Sequence, residues 1–151
     1  MRLLRFVRVS CLLSVLAGVI SSAESAEKRY LIIHADDSGI SHSANIGTIE
    51  SVEKDIISST SMMVPCPWFI EFAEYCRKNP NRDYGIHLTL TSEWKYYRWG
   101  PVSPCSQVPS LIDEDGYLWH TAKEVAENTK VEIELRAQIE RAKKLNSPSV
   151  T

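Results

Sequence analysis

The stretch Tyr30-Leu-Ile-Ile-His-Ala-Asp-Asp-Ser-Gly39 is an apolar run that ends in two adjacent carboxylates and a glycine. Residues Tyr30 to Ile33 are continuously apolar and partly β-branched, and His34 and Ala35 continue the segment to the acidic pair, which predicts a buried strand. Neighbouring carboxylates resist desolvation, so at a strand end they need water, a cation or hydrogen-bond donors. Because parallel α/β proteins build sites at strand carboxyl ends, Asp36 and Asp37 are candidate site residues. A plain turn, with an Asp capping the next helix and Gly39 at positive φ, explains the same residues.

Helix and strand patterns alternate after this stretch. Helical spacing of apolar residues and proline or serine boundaries predict four further elements. They are a helix capped by Ser41 or Ser43, a strand over Ser59–Val64, a helix over Trp68–Lys78 and a strand over Tyr84–Leu90. The order strand, helix, strand, helix, strand predicts a parallel α/β architecture with right-handed crossovers.

His87 falls on the polar face of the third predicted strand, opposite Ile86 and Leu88. The fold could therefore bring it to the same rim as Asp36 and Asp37. Mixed carboxylate and imidazole ligands suit zinc or another first-row divalent ion, and a carboxylate outside the ligand set could take a proton from water. A hydrogen-bonded structural role is the alternative for this histidine. Three other histidines compete for the ligand role: His34, His42 and His120.

The chain from Thr91 to Pro109 has little periodicity but much aromatic surface. A long irregular loop in a compact domain is usually functional, and aromatic content argues against disorder. Its rings could stack on sugar faces or pack onto the protein's own core. These candidate substrate-binding residues are Trp94, Tyr96, Tyr97 and Trp99.

The last part of the chain carries two capping boxes, Thr121-Ala-Lys-Glu124 and Thr129-Lys-Val-Glu132. The second box predicts the start of an amphipathic helix with Leu135, Ile139 and Ala142 as its apolar stripe. Two i, i+4 ion pairs are expected on its solvent-exposed face. They are Glu132 with Arg136 and Glu140 with Lys144.

The 151-residue chain has a formal net charge of −2, which gives no basic face for nucleic acid. A basic start, a short apolar core and small residues at Ser21-Ser-Ala23 predict a signal peptide over residues 1–23, hence a secreted or periplasmic protein with no stable membrane span after cleavage. The remaining cysteines, Cys66, Cys76 and Cys105, allow one disulfide or three unpaired thiols.

A series of motifs, in order and spacing, resembles the YdjC-like carbohydrate deacetylases. The series comprises Leu31-Ile-Ile-His-Ala-Asp-Asp-Ser-Gly39, Asn45-Ile-Gly47, Ser59-Thr-Ser-Met-Met-Val64, Gly85-Ile-His-Leu-Thr-Leu-Thr91, Pro109-Ser-Leu-Ile-Asp113 with Asp115-Gly116, and Glu134-Leu-Arg-Ala-Gln-Ile-Glu140. The resemblance implies a (β/α) barrel related to polysaccharide deacetylases. It also implies removal of N-acetyl groups from amino sugars or chito-oligosaccharides with a divalent metal ion, Mg or Zn.

By the same resemblance, Asp36 is the expected catalytic base, and Asp37 and His87 are the expected metal ligands. Family members supply a further histidine ligand from a later His-rich segment, so residues 28–151 are expected to be the N-terminal part of a barrel truncated after about half its strands. Two other functions stay open: an inactive or glycan-binding fragment, and a metal-dependent esterase or phosphoesterase. A homodimer is also left open.

Overall fold

The computed structural model describes residues 28–126 and 131–146. The chain divides into two units, Met1–Leu31 and Ile32–Thr151. Of the first unit, only residues 28–31 are described, and they are irregular and exposed. The expected signal peptide and the capping threonine Thr129 lie outside the described residues. No helix in the described part of the chain has the length and apolarity needed to cross a membrane.

The second unit is built around a sheet of three parallel strands in the order β1-β2-β3. The strands are β1 (His34–Ser38), β2 (Ser59–Met62) and β3 (Asp83–Ile86). The backbone register places His34 beside Ser59 and Ser59 beside Asp83. Parallel neighbours require crossover connections, and here each crossover contains a helix. The predicted parallel α/β architecture is therefore confirmed.

The position of the first strand differs from the prediction. The strand begins at His34, whereas the apolar residues before it are exposed, with Ile32 at 74% and Ile33 at 44%. Within the described residues, β1 pairs with β2 along one edge only. A run of β-branched residues predicts strand propensity, but it does not say whether another layer covers the side chains. The predicted strand is confirmed at His34 and Ala35, but its predicted buried start over Tyr30–Ile33 is wrong.

The first helix, α1 (His42–Glu53), begins after Ser41, whose Oγ accepts a hydrogen bond from the Ala44 amide at 3.2 Å. This confirms Ser41 as one of the two predicted caps. The inward face of α1 is largely polar, because Asn45 and Thr48 are buried beside Val52. This helix therefore brings hydrogen-bonding groups to the end of β1.

The second helix, α2 (Phe69–Lys78), places its apolar face in a buried cluster that includes residues of β2 and of the last helix. Its predicted apolar positions are all buried: Phe69, Phe72, Ala73 and Cys76. They pack with Met62 and Val64 at the end of β2 and with Ala142 from the last helix. The periodicity predicted this face correctly, because the helix is amphipathic and the sheet covers its apolar side.

A short helix, α3 (Ala122–Ala126), and a long one, α4 (Val131–Asn146), complete the described structure. The Thr121 capping box is confirmed, since the Thr121 amide donates to Glu124 Oε2 at 2.9 Å and the Glu124 amide to Thr121 Oγ1 at 3.4 Å. Along α4, Arg136 pairs with Glu132 as predicted, at 2.8 Å. The second charged pair forms one residue earlier than predicted, between Glu140 and Lys143 at 3.2 Å.

The buried face of α4 also differs from the prediction. Ala142 is buried as expected, but Leu135 and Ile139 are only partly buried. The fully buried side chains one and two turns before Ala142 are Gln138 and Glu134. Apolar periodicity does not predict this face, because these two polar side chains are buried with hydrogen-bond partners inside the protein.

Irregular chain connects β3 to α3 and covers a second apolar cluster. It contains two 3₁₀ turns, Cys105–Gln107 and Pro109–Leu111, and a small excursion closed by the antiparallel bridge of Ile112 with Leu118. The predicted turn at Asp115-Gly116 is present, with Gly116 at φ +83°. Trp99, Val108, Leu111 and Leu118 are buried in this cluster. The described cysteines are all free; Cys66 and Cys76 are buried, whereas Cys105 is exposed.

Candidate functional site

A sharp turn at the carboxyl end of β1 separates the two acidic side chains. Register with β2 breaks between Ala35 and Ser38, and Asp37 has φ +64°. Such a backbone conformation is unfavourable for most L residues, although Asp tolerates it better than β-branched residues do. The Asp37 carbonyl accepts a 3.2 Å hydrogen bond from the Ile40 amide, which closes the turn.

Gly39 completes the turn at φ +92°. Its amide donates to Asn45 Oδ1 at 2.6 Å, and Asn45 Nδ2 donates to Trp68 O and to Glu71 Oε2. Asn45 is fully buried, so this hydrogen-bonded network ties the acidic turn to both α1 and the start of α2. The turn is therefore held by a polar side chain rather than by apolar packing alone.

Asp36 lies among hydrogen-bond donors from β1, β2 and the residue after β3. Ser61 Oγ donates to Asp36 Oδ1 at 2.7 Å, and His34 Nε2 lies 3.2 Å from the same oxygen. The Ser61 hydrogen bond is the main reason that the pKa of Asp36 is below its ordinary value, with His87 and His34 adding to it and partial burial opposing it. Asp36 therefore stays ionised, and able to accept a proton, to lower pH than a free aspartate.

From the sequence, His34 is only one of three histidines that compete with His87 for the ligand role. In the structure it contacts two serines of β2. Its Nδ1 lies 2.6 Å from Ser59 Oγ, and its Nε2 lies 3.1 Å from Ser61 Oγ. Ser59 and Ser61 are two residues apart on β2, so they share one face of the strand. Their alternation was visible in the sequence, but its meaning needed the β1-β2 register.

The structure brings the three predicted acid and ligand residues together. His87 Nδ1 lies 3.4 Å from Asp36 Oδ1 and 3.4 Å from Asp37 Oδ1. The His87 backbone is fixed by its own amide, which donates to Met62 O at 2.9 Å, and by its carbonyl, which accepts from Thr89 Oγ1 at 2.8 Å. All three residues stand at the carboxyl ends of parallel strands, where α/β proteins place their sites.

The remaining two histidines lie apart from this group. His42 Nδ1 is 2.8 Å from Glu71 Oε1, and its ring packs against Trp68. His120 Nδ1 is 3.4 Å from the carbonyl of Glu93. Of the four histidines in the sequence, His34 and His87 are thus the two that contact the acidic pair.

The donor atoms of Asp37 and His87 are compatible with two ligands of one divalent ion. Two ligands about 2.0–2.2 Å from a tetrahedral zinc are about 3.3–3.5 Å apart, and these two atoms are 3.4 Å apart. Among the residues that the structure describes, no set of three or more His, Cys, Asp or Glu side chains forms a complete metal-binding group. The described residues therefore fit part of a metal site.

A cavity of about 390 Å³ opens beside Asp37 and His87. Its wall is formed by the chain after β3, including Thr89, Thr91 and Glu93, which the sequence did not single out. Two of the four predicted aromatic residues, Trp94 and Trp99, also line it. The cavity thus combines polar groups near the acidic pair with aromatic surface farther along the wall.

The other two aromatic residues lie behind or outside this wall. Tyr97 packs against Trp94 and Trp99, with ring centroids 5.8 and 6.0 Å away, and its hydroxyl donates to the Ile40 carbonyl. Tyr96 is 89% exposed, and Lys95 Nζ lies 5.1 Å from the centre of its ring. Trp94 and Trp99 are therefore better placed than the two tyrosines to meet a molecule in the cavity.

The fold and site together define a parallel α/β protein with an acid, acid, histidine group at its strand ends. Residues 30–150 match the profile of the family described as YdjC-like protein, and the chain belongs to that family.

Several relatives are carbohydrate deacetylases. The chain is 40% identical over 91 residues to the carbohydrate deacetylase of Enterococcus faecalis, covering 60% of this chain and 33% of that protein. It is 38% identical over 129 residues to the carbohydrate deacetylase of Thermus thermophilus, covering 81% of this chain and 42% of that protein. The chain thus spans less than half the length of these relatives.

A solved structure from Enterococcus faecalis V583, described provisionally as a cellobiose-phosphate cleavage protein, has a similar fold. The TM-score is 0.67 at 34% identity, and the match covers 77% of this chain and 44% of the other. This similarity supports the parallel α/β arrangement of the described elements.

Proposed function

We propose that this chain carries the acidic half of the site of a metal-dependent carbohydrate N-deacetylase, which acts on N-acetylated amino sugars or chito-oligosaccharides. The observation that carries the proposal is the convergence of Asp36, Asp37 and His87 beside a cavity at the strand ends. Membership of the YdjC-like family and similarity to carbohydrate deacetylases support the same reaction class.

Asp37 and His87 would hold the divalent ion, Mg or Zn. When bound, such an ion acts as a Lewis acid and lowers the pKa of water toward neutrality. The 3.4 Å separation of His87 Nδ1 from Asp37 Oδ1 is compatible with two ligands of one ion, but Asp36 Oδ1 lies at the same distance, so the choice of Asp37 rests on the resemblance of the acidic motif to the YdjC-like family. Further ligands would come from outside the described group, because two protein ligands are fewer than the three that catalytic zinc sites use.

Asp36 would act as the general base. It accepts a proton from the water that attacks the acetamide carbonyl, a role open to it because its carboxylate is ionised at neutral pH. Ser61 fixes its carboxylate with a 2.7 Å hydrogen bond, so the accepting oxygen is oriented before substrate binds. The sugar nitrogen takes up a proton as its bond to the acetyl carbon breaks, and the products are acetate and the free amino sugar.

Trp94 would contact the sugar ring, since it lines the cavity, is half-exposed and sugar rings have apolar faces, whereas the buried Trp99 would support the Trp94 ring. We also propose that the three parallel strands are part of a (β/α) barrel. The support is the sequential strand order and a fold match that covers 44% of a longer solved chain. We also propose that the protein is secreted or exported to the periplasm, because residues 1–23 have the pattern of a signal peptide.

Acetate release from N-acetylated chito-oligosaccharides in the presence of Mg²⁺ or Zn²⁺ tests the function. We expect Asp36→Asn to lower kcat by about 10²–10⁴-fold with little change in bound metal, since the variant loses the base but keeps the shape. His87→Ala should instead lower the metal content measured by elemental analysis.

His42→Ala is the matched control, because His42 pairs with Glu71 away from the cavity. This variant should keep both metal content and acetate release. The converse pattern, in which Asp36→Asn loses metal and His87→Ala retains it, would reverse the two roles. Absence of acetate release from the parent chain with either metal would refute deacetylase activity of this chain.

A further inference from the structure

Two polar side chains on α4 are fully buried, although the proposed reaction does not use them. Glu134 and Gln138 are each 0% exposed and lie one helical turn apart. They are joined to each other, since Gln138 Nε2 donates to Glu134 Oε1 at 2.8 Å. Burying such groups is unfavourable unless each finds partners, so the identity of their partners shows what they hold.

Gln138 binds the main chain of Thr89 on both sides. Its Oε1 accepts from the Thr89 amide at 3.0 Å, and its Nε2 donates to the Thr89 carbonyl at 2.6 Å. The Thr89 hydroxyl in turn donates to the His87 carbonyl at 2.8 Å. A continuous set of hydrogen bonds therefore runs from α4 to the backbone of His87, with the first pair protected from water.

Glu134 holds the main chain just after the cavity wall, whose last lining residue is Trp99. Its Oε1 accepts from the Val102 amide and its Oε2 from the Ser103 amide, each at 2.9 Å. Trp94 and Trp99 lie in the chain between Thr89 and these two residues. The wall segment, residues 89–103, is thus attached at both ends to neighbouring turns of one helix.

We propose that Glu134 and Gln138 are positioning residues for the candidate site. They fix the ends of the wall segment, so that its tryptophans face the cavity, and Gln138 acts on His87 through Thr89. Apolar side chains of similar size could fill the same volume, but they could not bind four backbone groups of the wall. The functional part of this inference rests on the proposed deacetylase activity.

Amide hydrogen exchange of the full chain under native conditions tests the positioning directly. Gln138→Met nearly keeps the length and volume of the side chain but loses both hydrogen bonds to the Thr89 main chain. We expect exchange of the Thr89 amide to accelerate by on the order of tenfold or more, because a buried pairing is lost. Protection in α2 should change much less.

Glu134→Gln is the second variant and nearly preserves the side-chain shape. All three partners of Glu134 are N–H donors, so an amide nitrogen in place of one oxygen would face another donor. We expect exchange to accelerate by on the order of tenfold at Val102 or Ser103, while Thr89 stays better protected than in Gln138→Met.

Ala142→Gly is the matched control on the same buried face of α4. Ala142 packs in the apolar cluster around Phe69 and Phe72, and its methyl side chain can form none of the hydrogen bonds that Glu134 and Gln138 make with residues 89, 102 and 103. The substitution weakens the helix and should accelerate exchange broadly across the core. If Gln138→Met and Glu134→Gln give that same broad pattern, or leave residues 89, 102 and 103 protected, the positioning role is refuted.

A kinetic measurement separates this inference from the function on which it rests. In Gln138→Met, we expect the KM for chito-oligosaccharide to rise severalfold and metal affinity to fall, whereas Ala142→Gly should keep both at a temperature where it is folded. Unchanged KM and metal affinity in Gln138→Met would refute action on the site. If the parent chain itself releases no acetate, the proposed function fails, and the exchange data still decide the positioning role.

Discussion

Asp37 and Gly39 give the acidic turn its shape, because both have a positive φ angle. Asp37 has φ +64° and Gly39 has φ +92°, with Ser38 between them fully buried. Ser38 Oγ lies 2.8 Å from Thr60 Oγ1, which anchors the middle of the turn to β2. The two carboxylates can therefore take different roles although they are adjacent in sequence, because the backbone changes direction between them.

Gly39→Ala should destabilise the protein. A Cβ at this position would lie 3.0 Å from the Phe69 Cα, and the positive φ is unfavourable for alanine. We expect a loss of about 1–3 kcal/mol from the backbone conformation, with additional loss from the contact with Phe69. Urea unfolding followed by circular dichroism measures the effect.

Gly47→Ala is the control for that substitution. Gly47 lies inside α1, and a Cβ there would meet no atom within 4 Å. Because alanine favours the helix, this variant should gain up to about 1 kcal/mol. Equal stability of Gly39→Ala and the parent chain would contradict the steric argument.

Asp36, Asp37 and His87 could be predicted as site residues from the sequence. Two carboxylates at a strand end and a histidine on the polar face of a strand can be recognised from the neighbouring residues alone. The sequence did not predict the donors around Asp36. Ser61 reaches Asp36 across the β1-β2 register, and His34 contacts both Ser59 and Ser61 in the same way. Those contacts depend on which strands are neighbours, and strand pairing is not encoded in any single segment.

The chain between β3 and α3 owes its order to side chains that bind backbone groups. Arg98 donates to Asp113 Oδ2 at 2.8 Å and to the Leu118 carbonyl at 2.7 Å. Trp99 Nε1 donates to the Thr91 carbonyl, and Ser92 Oγ accepts from the Trp99 amide. These bonds give the irregular segment hydrogen-bond partners in place of those that a sheet would supply.

Asp113→Asn should destabilise the protein more at neutral pH than in acid. Burial alone would raise the pKa of Asp113, but the Tyr117 amide and Arg98 outweigh it and hold the pKa below its ordinary value. The stabilisation is therefore complete above an unfolded-state pKa of about 3.9 and is lost as pH falls through the lower folded-state pKa. Urea unfolding at pH 7 and near pH 3 measures the difference between the two proteins.

The same substitution at the exposed neighbour Asp115 is the control. Asp115→Asn should change stability by no more than about 0.5 kcal/mol at either pH. If the deficit of Asp113→Asn is the same at pH 7 and pH 3, the ion pair and amide bond are not its cause.

Among the elements, α2 was predictable because its buried face is apolar. The parallel strand order was predictable because strand and helix patterns alternate along the chain. The start of the first strand and the buried face of α4 were not. β1 takes its position from pairing with β2 rather than from the apolar residues before it, and α4 buries Glu134 and Gln138 because their partners lie in a distant loop. A residue pattern records local preference, whereas both exceptions arise from contacts across the fold.

At the scale of the whole molecule, the described residues form two apolar clusters, each with one buried cysteine. Cys66 lies in the cluster with Trp99 and Leu111, and Cys76 lies in the cluster with Phe69 and Phe72. Burial raises the pKa of both thiols to about 12. The two thiols therefore report separately on the opening of the two clusters.

Iodoacetamide should label Cys105 in the folded protein much faster than Cys66 or Cys76. Thiolate is the reactive form, and the two buried thiols are neutral at pH 8 as well as inaccessible. Peptide mass spectrometry during a urea titration should show both becoming reactive in one transition if the clusters unfold cooperatively. Labelling of Cys66 at the rate of Cys105 without urea would contradict its burial.

The exposed isoleucines before β1 affect how the protein behaves in concentrated solution. Within the described residues β1 has a strand on one side only, and Ile32 and Ile33 stand exposed just before it. Exposed apolar side chains favour association between copies of a protein, so concentrated samples should self-associate in a concentration-dependent way. Ile32→Lys places a charge there and should shift light scattering toward the monomer, which would make it the preferred form for crystallisation.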